Sequence, residues 1–237
     1  MSAETVNKLI RDAAEKAAKE TDDQPEPGFT TEHTNPMSAL ALGMSALGNL
    51  DETANDTTVE VETAMAIKLI AQFATMAAAI ARIKKGQAPV APRTDLSHAA
   101  NFLYMINHRE PDQTNERIMD VALILHADHG MNASTFTAMV VNSSLSDLYS
   151  SIVAAIGSLK GALHGGANER VIYDLLEIRN PENVHAWFSN ACATKRKVMG
   201  FGHRVYKAYD PRARILGPLA KFMSSKNPEI KKLYDIR

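Results

Sequence analysis

Apolar residues along this chain recur three and four positions apart, the spacing of one helix face. Val6, Leu9, Ile10, Ala13 and Ala17 share such a face and predict a helix over residues 3–20. Residues 21–35, rich in acids, prolines and a glycine, predict a linker. Pro36 can open a helix at its first turn, and the pattern carries that helix to about residue 47. A long helix follows over 58–85, stopped by Gly86, Pro89 and Pro92. Further helices are predicted over 96–107, with Asp95 as N-cap, and over 115–126, 134–141 and 147–160. Beyond Gly165 and Gly166 the pattern resumes over 168–178, 181–197, 211–223 and 228–234, with a glycine-containing loop at 198–208. No segment shows a convincing strand alternation and no internal repeat is evident. The fold class is all-α.

Composition strengthens this reading. Alanine and methionine are plentiful and β-branched runs few, a balance that suits helices packing closely on helices. The most apolar stretch, 64–83, contains Lys68, Gln72 and Arg82 and reads as a buried core helix, not a membrane span. The first twenty residues are charged throughout, which argues against a secretory signal, and their acids argue against a transit peptide. Cys192 is the only cysteine. No disulfide can form within the chain, which fits a reducing, cytoplasmic setting.

Net charge is −1, too balanced for a general nucleic-acid binder. Its distribution is uneven. Residues 1–62 hold thirteen acids against four basic residues, a net of −9, whereas 195–214 hold seven basic residues against Asp210, a net of +6. A positive field of that kind suits a polyanionic ligand, although a solvated basic face would read the same way.

The chemistry gathers on histidines flanked by glycine. Ala162-Leu163-His164-Gly165-Gly166-Ala167-Asn168-Glu169 is the first motif, and Gly200-Phe201-Gly202-His203-Arg204-Val205-Tyr206-Lys207 is the second. Arg212 follows His203 by nine positions, within Tyr209-Asp210-Pro211-Arg212. Glycine neighbours let a ligand approach the ring, and histidine exchanges a proton near neutral pH. A planar guanidinium can bond both oxygens of a carboxylate. A third segment, Leu125-His126-Ala127-Asp128-His129-Gly130-Met131-Asn132, brings two more histidines.

These three segments, in this order and spacing, resemble the citrate synthase family, collinearly from about Asn35-Pro36-Met37 to Arg214. The resemblance implies an all-α chain: an N-terminal helix and linker over 1–35, a large helical domain over 36–165 and an incomplete small domain over 166–237. It implies an acyltransferase, a transferase of the tricarboxylic acid cycle, that condenses acetyl-coenzyme A with oxaloacetate and hydrolyses the resulting thioester. His164 would face the thioester oxygen and His203 the oxaloacetate carbonyl. His129 and Arg212 would hold oxaloacetate. Val198, Met199, Gly200, Phe201 and Gly202 would line the coenzyme A pocket. His126 would be a supporting or structural residue. The family uses no metal and no tightly bound cofactor, and it forms homodimers, with residues 146–163 expected at the interface.

The family's catalytic carboxylate and two further substrate arginines lie beyond the second histidine motif, and Arg237 precedes their positions. Neither Asp210 nor Asp128 matches that carboxylate, so little turnover is expected of this length of chain. Gly130 stands where the family often has an acid. Three alternatives stay open: a 2-methylcitrate synthase using propionyl-coenzyme A, an inactive family-derived binding or assembly protein, and a metal-dependent hydrolase built on His126, His129 and His164.

Overall fold

The computed structural model describes residues 35–128, 130–202 and 206–236. The helix expected over 3–20 and the linker up to residue 34 lie outside them. The described residues are helical, with no strand among them. They divide into two compact units, one reaching Leu159 and the other beginning at Lys160.

The first unit carries α1 (Pro36–Leu50), α2 (Val59–Ile83), α3 (His98–Asn107), α4 (Gln113–Ala127), α5 (Ala133–Asn142) and all but the last residue of α6 (Leu148–Lys160). Most of these helices start on a side chain that answers their unpaired backbone amides. Asn35 Oδ1 accepts from the amides of Met37 and Ser38 at 3.0 and 3.2 Å, with Pro36 at the first position. Asp112 caps α4 through the Asn115 amide at 2.8 Å, and Asn132 caps α5 through the Thr135 amide at 3.0 Å. The cap of α3 is Ser97, which accepts from the Ala100 amide at 3.2 Å, not the expected Asp95. Asp95 is drawn away by Arg93, with which it forms an ion pair.

Long and apolar enough to cross a membrane by length and composition alone, α2 instead buries one side. Met65, Leu69, Met76, Ala79 and Ile80 meet Leu40, Met44 and Leu47 of α1 and Tyr149 and Ile156 of α6 in one core. α1 packs on α2, α2 on α3 and α3 on α4. The methionines here fill the core between helices, as expected of an unbranched, adaptable side chain. Polar bonds add to the packing, as where Ser134 Oγ on α5 donates to the Ala155 carbonyl on α6 at 3.1 Å.

The second unit contains α7 (Gly166–Ile178), a 3₁₀ turn (Pro181–Asn183), α8 (Val184–Ala193), α9 (Ala213–Lys226) and α10 (Pro228–Ile236). α9 packs on α10, and α10 on α7 and the 3₁₀ turn. The single helix expected over 181–197 is shorter. It begins as the 3₁₀ turn and stops at Ala193, because Lys195 takes a left-handed backbone with φ of +56°. Pro218 sits inside α9. Few large side chains in this unit are fully buried, and Ile215, Phe222 and Ile230 remain exposed.

Candidate active site

His164 sits in a tight turn just ahead of α7. The carbonyl of Gly161 accepts twice, from the His164 amide at 2.9 Å and the Gly166 amide at 3.1 Å. The His164 carbonyl then accepts from the Ala167 amide at 3.0 Å, inside the first turn of the helix. The backbone of His164 is therefore bonded on both sides, and its side chain is half-buried. The glycines serve close approach, not an unusual dihedral. Gly165 has ordinary helical angles, φ −61° and ψ −32°. A Cβ on Gly166 would fall 2.9 Å from the carbonyl oxygens of both Lys160 and Gly161. The helix accordingly starts at Gly166 itself, two residues earlier than the pattern of apolar positions predicts.

The loop expected to line a coenzyme pocket behaves differently. Gly200 and Gly202 have φ of +86° and +75°, the left-handed region that glycine enters without strain. A Cβ on Gly200 would lie 3.1 Å from Cγ2 of Val171, so this loop leans on α7, the helix that His164 precedes. Val198 and Met199 are half-buried, while Phe201 is 80% exposed. His203 lies outside the described residues, as do Arg204 and Val205.

Arg212 stands immediately before α9. Its Nε donates to Oδ1 and Oδ2 of Asp210 at 3.2 and 3.3 Å, and its Nη2 donates to Oδ2 at 2.9 Å. Asp210 Oδ1 also accepts from the Arg212 backbone amide at 2.9 Å. One carboxylate thus shapes the turn and holds the guanidinium, and it raises the Arg212 pKa above its ordinary value. Sequence reasoning did not read this pairing, although the Asp-Pro-Arg spacing is its only signal.

The basic stretch is also less positive than its formal charge. Arg196 donates to both carboxylate oxygens of Glu177 at 2.9 and 2.8 Å and to Asp174 at 2.6 Å. Its guanidinium lies 5.0 Å from the centroid of the Trp187 ring. This arrangement holds the Glu177 carboxyl below its ordinary pKa. Arg196 therefore braces the second unit, and Arg212 carries its own counter-charge.

In the first unit, α4 ends at Ala127 and Asp128 is extended, with φ −140° and ψ 122°. The helix that carries His126 therefore stops one residue past it. His126 is exposed, with Nδ1 2.6 Å from the Ala122 carbonyl, so that nitrogen carries the hydrogen and donates. Asp128 Oδ1 accepts from the Gly130 amide at 3.0 Å and closes the turn. His129 itself lies outside the described residues. Among the described residues no three His, Cys, Asp or Glu side chains gather as a metal-binding set. Cys192 is exposed on α8.

The family described as citrate synthase, C-terminal domain, matches residues 2–237. The chain is 52% identical to a citrate synthase of Deinococcus radiodurans over 192 residues, which are 81% of this chain and 51% of that protein. It is 47% identical to citrate synthase 2 of Bacillus subtilis, over 86% of this chain and 55% of the relative. Its fold is similar to that of the citrate synthase of Thermoplasma acidophilum solved as a ternary complex with carboxymethyl coenzyme A and oxaloacetate. The TM-score is 0.82 and the identity 33%, over 99% of this chain and 60% of the other. The chain spans about half the length of the curated relatives it matches. With a family match over nearly its whole length, this chain belongs to the citrate synthase family.

Proposed function

We propose that the chain serves a citrate synthase reaction, in which the methyl carbon of acetyl-coenzyme A is joined to the ketone carbon of oxaloacetate and the thioester product is hydrolysed. In this reading His164 donates toward the thioester oxygen as the methyl loses its proton, and His203 polarises the oxaloacetate ketone. His129 and Arg212 hold the acceptor's carboxylates, and residues 198–202 line the coenzyme A site. The observation that carries the proposal is the bonded turn at Gly161–Ala167. It fixes the His164 backbone ahead of α7 while the 198–202 loop leans on the same helix through Gly200 and Val171. Held groups of this kind contribute factors of about 10²–10⁴ to proton transfer.

The proton acceptor for the methyl group is not assigned to any residue of this chain. Asp210 is engaged by Arg212. No tightly bound cofactor or metal enters the scheme. A homodimer is proposed as the working form, supported by large apolar side chains left in solvent on α2 and α5, among them Ile67, Ile70, Phe136 and Met139. A cytoplasmic setting is proposed on the single cysteine.

Binding and turnover test the reading separately. Calorimetry on the folded chain is expected to detect oxaloacetate binding, and Arg212→Leu to remove it. Release of free coenzyme A thiol, with acetyl- and propionyl-coenzyme A in parallel, is expected to depend on oxaloacetate and to be lost in His164→Ala. The ratio of the two rates names the acyl donor, since a pocket separates such homologues by only about 1–3 kcal/mol. Absence of oxaloacetate binding by a folded sample would overturn the proposal.

A further inference from the structure

Arg82 is a largely buried arginine held, among the described residues, by backbone carbonyls alone. Near the C-terminal end of α2 it is 92% buried, its relative exposure being only 8%, and no ion pair reaches it among the described residues. Its Nε donates to the Ala88 carbonyl at 2.6 Å and its Nη1 to the Ile106 carbonyl at 3.0 Å. A guanidinium has five N–H donors, so these two carbonyls leave three for solvent or a ligand in the space beside it. They also leave the positive charge without a counter-ion among the described residues, although the side chain is largely buried.

The same side chain lines a cavity of about 320 Å³, together with residues 88–91, Tyr104 and His108. The volume is at the lower end of the range for small-ligand sites. Its walls are held in place. His108 ends α3 in a left-handed backbone with φ of +53°, and its ring meets the Tyr104 ring edge-on at 6.2 Å. Arg93 lies 5.5 Å from the Tyr104 ring centroid and engages both Asp95 and Glu110. Those two acids are therefore occupied by a different cation. Lys84, Lys85 and Arg109 are exposed in the segments flanking the cavity-lining residues and add to a positive field.

We propose that this cavity binds a small ligand bearing an oxyanion, a phosphate or a carboxylate, with the remaining N–H groups of Arg82 as its principal donors and His108 at its rim. A tetrahedral or planar oxyanion matches the guanidinium fork and supplies the missing charge. The site is built entirely from first-unit residues, and it stands whether or not the reaction proposed above is correct.

The test is calorimetric titration of the full chain with inorganic phosphate and, separately, with succinate, at constant ionic strength. His108 ring resonances are followed by NMR. Saturable binding of at least one anion is expected, with displacement of the His108 resonances. Affinity is expected to fall about tenfold or more in Arg82→Lys, which keeps the charge and loses the fork, and severalfold in His108→Ala. Should Arg82→Lys fail to fold, His108→Ala decides alone. The titrations are repeated in Arg212→Leu, where binding that displaces the His108 resonances is expected to persist and any succinate binding at the proposed oxaloacetate site is lost. Binding of phosphate alone names a phosphorylated ligand, binding of succinate alone a carboxylate, and binding of both a general oxyanion site. Failure of both anions to bind saturably, or binding that survives intact in the folded Arg82 and His108 variants, overturns the proposal.

Discussion

Tyr149 Oη donates to Asp51 Oδ2 at 2.7 Å, joining residues 98 positions apart in the chain. The same oxygen accepts from Lys68 Nζ at 2.7 Å, and Oδ1 accepts from the Thr53 hydroxyl at 2.7 Å. One buried carboxylate thus ties the end of α1 to α2 and α6. Tyr149→Phe removes one of these donors while keeping the ring. The expected loss is about 1.5–3 kcal/mol, the usual range for a hydrogen bond to a charged group, measured by urea unfolding. An unchanged midpoint would show that the bond contributes nothing net.

The same pair sets a pH dependence at both ends of the scale. The Lys68 ammonium, then Tyr149, hold the Asp51 carboxyl well below the usual carboxylate range. A lowered folded value means that Asp51 contributes stability above its unfolded pKa of about 4, and that this is lost as pH falls through the folded value. Burial, then Asp51, pushes the Tyr149 phenol above its ordinary value. That contribution is fully present below about pH 10 and is lost as pH rises through the folded value. Melting temperatures across the pH range are expected to show an acid limb flattened by Asp51→Asn and an alkaline limb flattened by Tyr149→Phe.

Gly48 makes room for this tyrosine. A Cβ at position 48 would lie 2.8 Å from Tyr149 Cβ and 3.1 Å from its Cγ. Those atoms are at the root of a side chain that is fully buried, so they cannot swing aside. Gly48→Ala gains about 1 kcal/mol of helix propensity but loses about 1–3 kcal/mol or more to overpacking. The net expectation is destabilisation, read from the unfolding midpoint. A stabilised variant would mean that α1 and α6 shift apart at little cost.

At Gly166 the obstruction is backbone, the carbonyl oxygens of Lys160 and Gly161. Gly166→Ala is expected to open the turn that holds His164 and to weaken His164-dependent thiol release by a factor of ten or more. Circular dichroism is expected to show the helices retained. Full activity in Gly166→Ala would mean that the turn does not position the histidine.

Arg196 supports a unit that buries few large side chains. Its fork takes both oxygens of Glu177 and one of Asp174, and its flat face covers Trp187. Arg196→Lys keeps the charge but loses the bidentate fit and the stacking. A small fall in the unfolding midpoint is expected, since the guanidinium is 38% exposed and solvent screens the pair. Trp187 is the only tryptophan, so its fluorescence in urea reports this unit alone.

Local signals explain what was legible. Pro36 marks a helix start because its fixed φ suits the first turn, whereas the capping by Asp112 and Asn132, equally local, is missed by the apolar pattern, which starts those helices two and one residues late. Gly86, Gly200 and Gly202 mark chain reversals because left-handed backbone excludes most other residues. The histidine motifs and Arg212 are read from close neighbours in the same way, and their roles rest on the proposed reaction. What failed locally failed by competition. Asp95 and Ser97 are both good caps, and only Arg93, folded back against Asp95, leaves the role to Ser97.

The sequence by itself determined the helical class, the approximate extent of most helices and the family motifs, because each depends on residues within a turn or two of one another. Only the tertiary structure decided that Asp51, Lys68 and Tyr149 share one carboxylate, that Gly48 and Gly166 are required by close approach, and that Arg82 is buried beside a cavity. Those relationships join positions with no periodic or neighbour relation in the chain. Electrostatic pairing and excluded volume act only between atoms that folding has already brought together.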